Sequence, residues 1–429
     1  MGINIIIFNL FIFSFYTFLY KYSKKLKINY SYLYILFLVT CLFAYLFDLL
    51  VYSESKLFFA NFNDIFADAY KMAFSFDYFT DSAILQYGIP ESWILNNPYN
   101  YFLHENSDAL LKAGLPGIVF FGFLMGLILN FLNFNLQIFH LLISFILLFL
   151  LVRTFSKNKI DLIYLLVFLA SYPTVFMYER GNLLSVVVAF TLFNLSHKYL
   201  NGQNLNKFDI LKLAIATSLR PTAGIFLLLF FNKNLFNDFK KAINFFFYIA
   251  TLNLILFYML KNEILNYTLE NILENLNFYS LQNSFALNYW DASLYKFLLI
   301  FFKDYGNYLS LQYVILILVI IISVFIYFRI NRTDKIVLIN LITLIYLISA
   351  NPLGPYHLMI LCLLIALNSK FIQKSKNLNV NIFYLLIVFP KYGNFDFFNL
   401  NLELLNVINS SVFVFLIAIF LKNLAIKKY

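Results

Sequence analysis

Apolar runs of membrane-crossing length alternate with short polar turns along the whole chain. They fall at 3–20, 30–51, 115–132, 137–152, 160–176, 183–197, 208–219, 223–231, 243–260, 309–328, 336–350, 358–369, 381–390 and 403–421. A hydrocarbon core about 30 Å thick needs about 20 apolar residues per crossing helix. With no water inside that core, only helices or closed barrels satisfy their own backbone polar groups. The pattern predicts an all-α, polytopic transmembrane helix bundle of about thirteen spans over residues 1–429. The limbs 208–219 and 223–231 are short for full crossings and predict a tilted or irregular pair.

The polar turns then assign sides. Lys21, Lys24, Lys25 and Lys27 follow the first run, and basic residues also mark the turns at Arg153–Lys159, His197–Lys207, Lys233–Lys241, Arg329–Lys335 and Lys370–Lys376. Short basic loops stay on the cytoplasmic side, which places the N-terminus outside. Two long polar stretches, 52–114 and 261–308, become external loops, the first expected to be helical. Stretch 52–114 holds eight acidic residues against three lysines. One parity conflict arises. If 115–132 and 137–152 both cross, Arg153, Lys157 and Lys159 land outside, so one of the two is expected to be a re-entrant half-span buried in protein. Leu115-Pro116-Gly117 favours 115–132.

Composition sharpens this reading. A chain 62% hydrophobic and only 12% charged is not a soluble domain. Its net charge of +10 resides in short turns, so it does not indicate nucleic acid. In the first twenty residues the basic cluster follows the apolar run, the reverse of a cleavable signal peptide. Cys41 and Cys362 both lie in apolar runs, which points to neither a disulfide framework nor a metal site. The abundance of Phe and Tyr reads as background bias, so aromatic clusters carry little weight.

Six unusual polar residues sort to the external side: Asp64, Asp68, Glu179, Arg180, Arg220 and His357. Charges at a membrane boundary are costly unless used. Carboxylates can serve as general bases, and guanidinium groups match phosphate geometry. The combination suits a phosphorylated lipid better than a neutral solute. Each residue also has an ordinary structural reading. Asp64 and Asp68 are four apart, on one helix face, and fit a solvated acidic loop. Glu179 and Arg180 could pair at a helix end that Gly181 terminates, Arg220 could snorkel, and His357 could be structural. No zinc-ligand spacing, phosphate-binding Gly loop or nucleophile elbow is present.

These residues carry a resemblance. Glu179-Arg180-Gly181-Asn182, an apolar span, a basic turn and then Leu219-Arg220-Pro221 resemble the multi-spanning GT-C glycosyltransferases of the GT87 (DUF2029) type. Asn351-Pro352 with His357 is similar to that family's late "SP…HH" element, and Phe66-Ala67-Asp68 to the "F-x-D-F" of its first external loop. Asn283-Ser284 and Asp291-Ala292-Ser293-Leu294 are loosely similar to its "N-x-S-L" element. The similarity covers about residues 60–365. The "YPP" after the loop aspartate is missing, Arg220 replaces the lysine of "K-x-x-P", one histidine stands where two are usual, and an extra N-terminal span is present.

The resemblance implies a multi-pass protein of the inner or plasma membrane, acting on the external face. It would move a monosaccharide from a polyprenyl-phosphate-sugar donor to a glycan or glycolipid acceptor. It further implies Asp68 or Asp64 as catalytic base, Arg220, Arg180 and His357 as donor-phosphate ligands, and Glu179 and Asn182 as support. No cofactor or metal is expected. The alternative is an envelope-glycan flippase or polymerase, or another polytopic transporter, which needs no paired first-loop carboxylate.

Overall fold

The computed structural model describes residues 11, 13–22, 29–52, 136–260, 294, 298, 308–330, 334–350, 354–372, 380–390 and 402–425. Among these residues the protein is all-helical, with no strand. A helical stretch at 13–22 precedes α1 (Tyr30–Tyr52). Next among the described residues come α2 (Leu136–Lys157), α3 (Leu162–Ala170), α4 (Tyr172–Arg180), α5 (Leu183–Leu200) and α6 (Lys207–Leu219). A 3₁₀ segment (Pro221–Phe230) leads to α7 (Leu235–Leu260). Then follow α8 (Tyr308–Arg329), α9 (Lys335–Ser349), a 3₁₀ turn (Pro355–Leu358), α10 (Met359–Ile372), α11 (Val380–Val388) and α12 (Leu402–Ala425).

The helices begin and end where sequence punctuation dictates. Run 160–176 is not one helix: it breaks at Ser171, whose extended backbone (φ −71°, ψ 142°) is followed by Pro173 in the first turn of α4. Proline lacks the N–H that a continuing helix would need. Helix α6 stops at Arg220 (φ −144°, ψ 98°) because a residue before proline is driven out of the helical region. Chain beyond Pro221 then returns as a 3₁₀ segment, the irregular limb expected from its short apolar run. The start of α6 is held by a capping box, with the Asn206 side chain on Asp209 N–H and the Asp209 carboxylate on Asn206 N–H. Segments 52–114, 115–132 and nearly all of 261–308 lie outside the described residues, so the parity conflict at 115–132 does too.

Burial divides the helices into two kinds. Every residue of α9 from Ile336 to Leu347 is buried, and α10 is buried from Leu358 to Ser369. These two pack on each other and on α5, the 3₁₀ segment, α11 and α12. Helices α1, α2, α7 and α8 instead carry large exposed apolar side chains, among them Phe43, Phe145, Phe239, Phe246, Leu254 and Ile321. Residues Leu183–Leu200 and Leu235–Met259 form two helices long and apolar enough to cross a membrane by length and composition.

The buried core also contains amides and hydroxyls that satisfy one another. Asn340 of α9 and Asn368 of α10 exchange two hydrogen bonds (2.8 and 3.0 Å). Asn368 donates to Asn381 of α11 (3.0 Å), and Asn381 donates to Tyr34 Oη of α1 (2.9 Å) and Ser369 Oγ (3.0 Å). Tyr34 and Ser369 share a further hydrogen bond, and Tyr384 donates to Asn340 (2.7 Å). Four helices are thereby tied together without a single charge. Buried polar groups are tolerated when paired in this way.

The basic turns gather at one end of the bundle. Lys198 reaches Asp209 (2.6 Å), Lys335 reaches the Tyr199 carbonyl (3.3 Å), Lys370 reaches the Asn158 carbonyl (3.1 Å), and Lys241 reaches the Phe230 carbonyl. The starts of α3, α6, α7 and α9 and the end of α10 thus share this end, and the 180–183, 220 and 354–358 segments share the other.

Candidate functional site

The Glu179-Arg180-Gly181-Asn182 tetrad is a helix stop followed at once by a helix start. Gly181 adopts the left-handed conformation (φ 66°, ψ 29°), and its N–H bonds the Tyr178 carbonyl while Asn182 N–H bonds that of Met177. These are the two bonds of a Schellman motif. The Asn182 side chain then accepts from Ser185 N–H (3.0 Å) and opens α5. Asn182 is buried and its side-chain oxygen serves as a cap, so its support of the site is indirect: it sets the direction in which α5 leaves. Arg180, in the last turn of α4, is also buried. Glu179 belongs to that turn, and its expected role in orienting Arg180 falls on a side chain outside those described.

Arg220 is brought to the same place by the hairpin of α6 and the 3₁₀ segment. Its Nη2 points at Ser185 Oγ (3.5 Å), on the first turn of α5. Its guanidinium lies over the Tyr356 ring, 5.6 Å from the centroid. Among the described residues its buried Nε has no hydrogen-bond partner. Tyr356 stacks in turn on Phe176 of α4 (6.0 Å, 22°) and contacts the His357 ring (4.7 Å). His357 is buried, with Nδ1 3.2 Å from the Gly354 carbonyl, and lies within electrostatic reach of Arg220. One cation, one imidazole, one serine hydroxyl and a stacked aromatic pair therefore meet at the end opposite the lysine turns.

Helix lengths set the depth of this cluster. At about 1.5 Å per residue, the 13 residues of α6 reach about 20 Å from the lysine end, and the 15 of α9 about 22 Å. The 10-residue 3₁₀ segment covers the same about 20 Å at about 2.0 Å per residue. The outer helices α1 (23 residues), α7 (26) and α8 (22) reach about 33–39 Å. Arg220 and His357 consequently sit at the tips of short elements that pack beside the longer α7 and α8.

The structure thus brings Arg220 and His357 together, beside the turn that carries Arg180 and Asn182. Asp64 and Asp68 lie outside the described residues. Ser185 and Tyr356 went unrecognised from sequence. Their only signal was position, Ser185 three residues after Asn182 and Tyr356 directly before His357. Among the described residues no group of three His, Cys, Asp or Glu could hold a metal. Cys41 and Cys362 are free and buried. The chain matches no family model, no curated protein and no solved structure.

Proposed function

We propose that the protein is a GT-C-like membrane glycosyltransferase of about thirteen spans in the inner or plasma membrane. It moves a monosaccharide from a polyprenyl-phosphate-sugar donor to a glycan or glycolipid acceptor on the external face. The observation that carries this reading is the Arg220 cluster: a guanidinium whose buried Nε has no partner among the described residues, held between Ser185 and Tyr356 beside His357. A cation kept at the tips of short helices inside an apolar bundle suits an anion that arrives with a lipid tail. Support for the membrane comes from the apolar side chains exposed on α1, α2, α7 and α8, since contiguous apolar surface of that extent marks contact with lipid or protein. Lysine turns collected at the opposite end support the orientation.

In the reaction, the acceptor hydroxyl gives its proton to the carboxylate of Asp68 or Asp64. Its oxygen bonds the anomeric carbon as the bond from that carbon to the phosphate oxygen breaks. Polyprenyl phosphate leaves with the electron pair and the configuration inverts. Arg220 holds the charge that develops on the leaving phosphate, with His357 and Arg180 beside it. A preorganised donor of this kind contributes about 2.7–4 kcal/mol in comparable oxyanion sites. Glu179 and Asn182 act behind this layer.

The test is sugar transfer from a polyprenyl-phosphate donor by purified protein carrying Asp68→Asn or Asp64→Asn. One of the two variants should lose nearly all transfer while still binding donor. Full activity in both refutes the carboxylate base, and uptake or flipping without any transfer product refutes the transferase reading.

A further inference from the structure

Arg220 lies against an aromatic ring and, among the described residues, leaves a buried donor without a partner. A guanidinium carries five N–H donors in one plane. Here Cζ lies over the Tyr356 ring, 5.6 Å from its centroid, one terminal nitrogen reaches Ser185 at the long distance of 3.5 Å, and the buried Nε has no partner among the described residues. Tyr356 is itself fixed from its other contacts, by the Phe176 ring (6.0 Å) and by the backbone beneath it. That backbone is Gly354. A Cβ placed there would lie 2.8 Å from Tyr356 Cζ and 3.1 Å from both Cε1 and Oη. The ring lies across a bare Cα, which no other residue type supplies.

We propose that Tyr356 is the positioning residue of the anion site: its ring lies under the Arg220 cation and directs the guanidinium donors toward a phosphate monoester, with Gly354 admitting the ring. A ring beneath the cation restrains it without accepting its N–H donors, whereas a carboxylate partner would neutralise the charge and occupy the fork. Cation–aromatic contacts of this kind strengthen when desolvated, and both Arg220 Nε and His357 are buried. The inference rests on the phosphate-binding role of Arg220, and the experiment separates the two.

Full-length protein in nanodiscs is titrated with farnesyl phosphate, farnesol and inorganic phosphate, using wild type and Arg220→Gln, Tyr356→Phe, Tyr356→Leu and Gly354→Ala. Wild type should bind farnesyl phosphate at least about tenfold more tightly than either partial ligand. Arg220→Gln should lose that preference. Tyr356→Phe, which keeps the ring, should bind within about twofold of wild type. Tyr356→Leu and Gly354→Ala should each weaken farnesyl phosphate about tenfold or more with farnesol unchanged, a separation that general loss of structure would not produce. If Arg220→Gln weakens binding but Tyr356→Leu or Gly354→Ala does not, positioning by Tyr356 is wrong and the anion site stands. Equal losses in Tyr356→Phe and Tyr356→Leu likewise refute a role for the ring. If Arg220→Gln binds like wild type, the anion site itself fails. Equal binding of inorganic and farnesyl phosphate would overturn the lipid-phosphate ligand.

Discussion

Replacing Asn368 by leucine tests how far the uncharged polar network holds the bundle together. Asn368 is fully buried and makes three side-chain hydrogen bonds, two with Asn340 and one to Asn381 Oδ1. In a membrane bundle of the kind proposed above, interhelical hydrogen bonds average about 0.6 kcal/mol each, so losing three costs about 2 kcal/mol. The partners fare differently. Asn340 keeps its Nδ2 bond to the Ile336 carbonyl (2.7 Å) and still accepts from Tyr384 (2.7 Å). The bond to Asn381 Oδ1 is lost outright, and stranding a buried acceptor costs about 1–3 kcal/mol. The expected loss for Asn368→Leu is about 3–5 kcal/mol. It is measured by reversible unfolding in mixed micelles of increasing denaturing-detergent fraction. Tyr384→Phe, which deletes one hydroxyl bond, should lose about 1 kcal/mol on the same scale. The Asn340→Leu, Asn368→Leu double variant should lose clearly less than the sum of the singles, because neither amide is left facing a leucine. An Asn368→Leu protein within about 0.5 kcal/mol of wild type, the usual range of neutral changes, would show that the network does not tie α1, α9, α10 and α11.

Gly181→Ala should lose about 1 kcal/mol in the same unfolding assay, because the left-handed backbone at φ 66° is strained for any residue with a Cβ. At the start of α6, Asp209→Ala should lose about 1 kcal/mol or more, since the buried carboxylate accepts from Asn206 N–H and pairs with Lys198; Asp209→Asn, whose amide oxygen can still cap, should lose less. Sidedness is read by labelling intact cells with an impermeant thiol reagent, against a background in which Cys41 and Cys362 are buried. A cysteine replacing exposed Gln203, in a lysine turn, should label only after permeabilisation, and one next to Glu179 should label without it. Labelling of both from the same side would refute the topology.

Much of the local structure was written in single residues. Gly181 and Asn182 end one helix and begin the next, Arg220-Pro221 ends α6, and Asn206 with Asp209 starts it, all through backbone restrictions or caps acting within a few positions. The lysine turns also sorted the loops to one end before any contact was known. The break at Ser171 inside run 160–176 was not anticipated, although Pro173 marked it. Two of the six residues singled out, Asp64 and Asp68, remain sequence expectations, lying outside the described residues.

Packing settled what short-range rules could not reach. Runs 309–328 and 336–350 read alike as apolar helices, yet α9 is buried all round and α8 turns Ile317, Ile321 and Phe328 outward. Apolarity marks both a core and a lipid-facing surface, so hydropathy cannot separate them. Nor could it pair Asn340 with Asn368 and Asn381, or bring Ser185 and Tyr356 to Arg220. Those partners lie on different helices, and each side chain acquires its role only when the helices are laid side by side. Helix starts and stops follow from the residues next to them. The Arg220 cluster follows from the short lengths of α6, α9 and their neighbours, which bring their tips, and the groups on them, to one end.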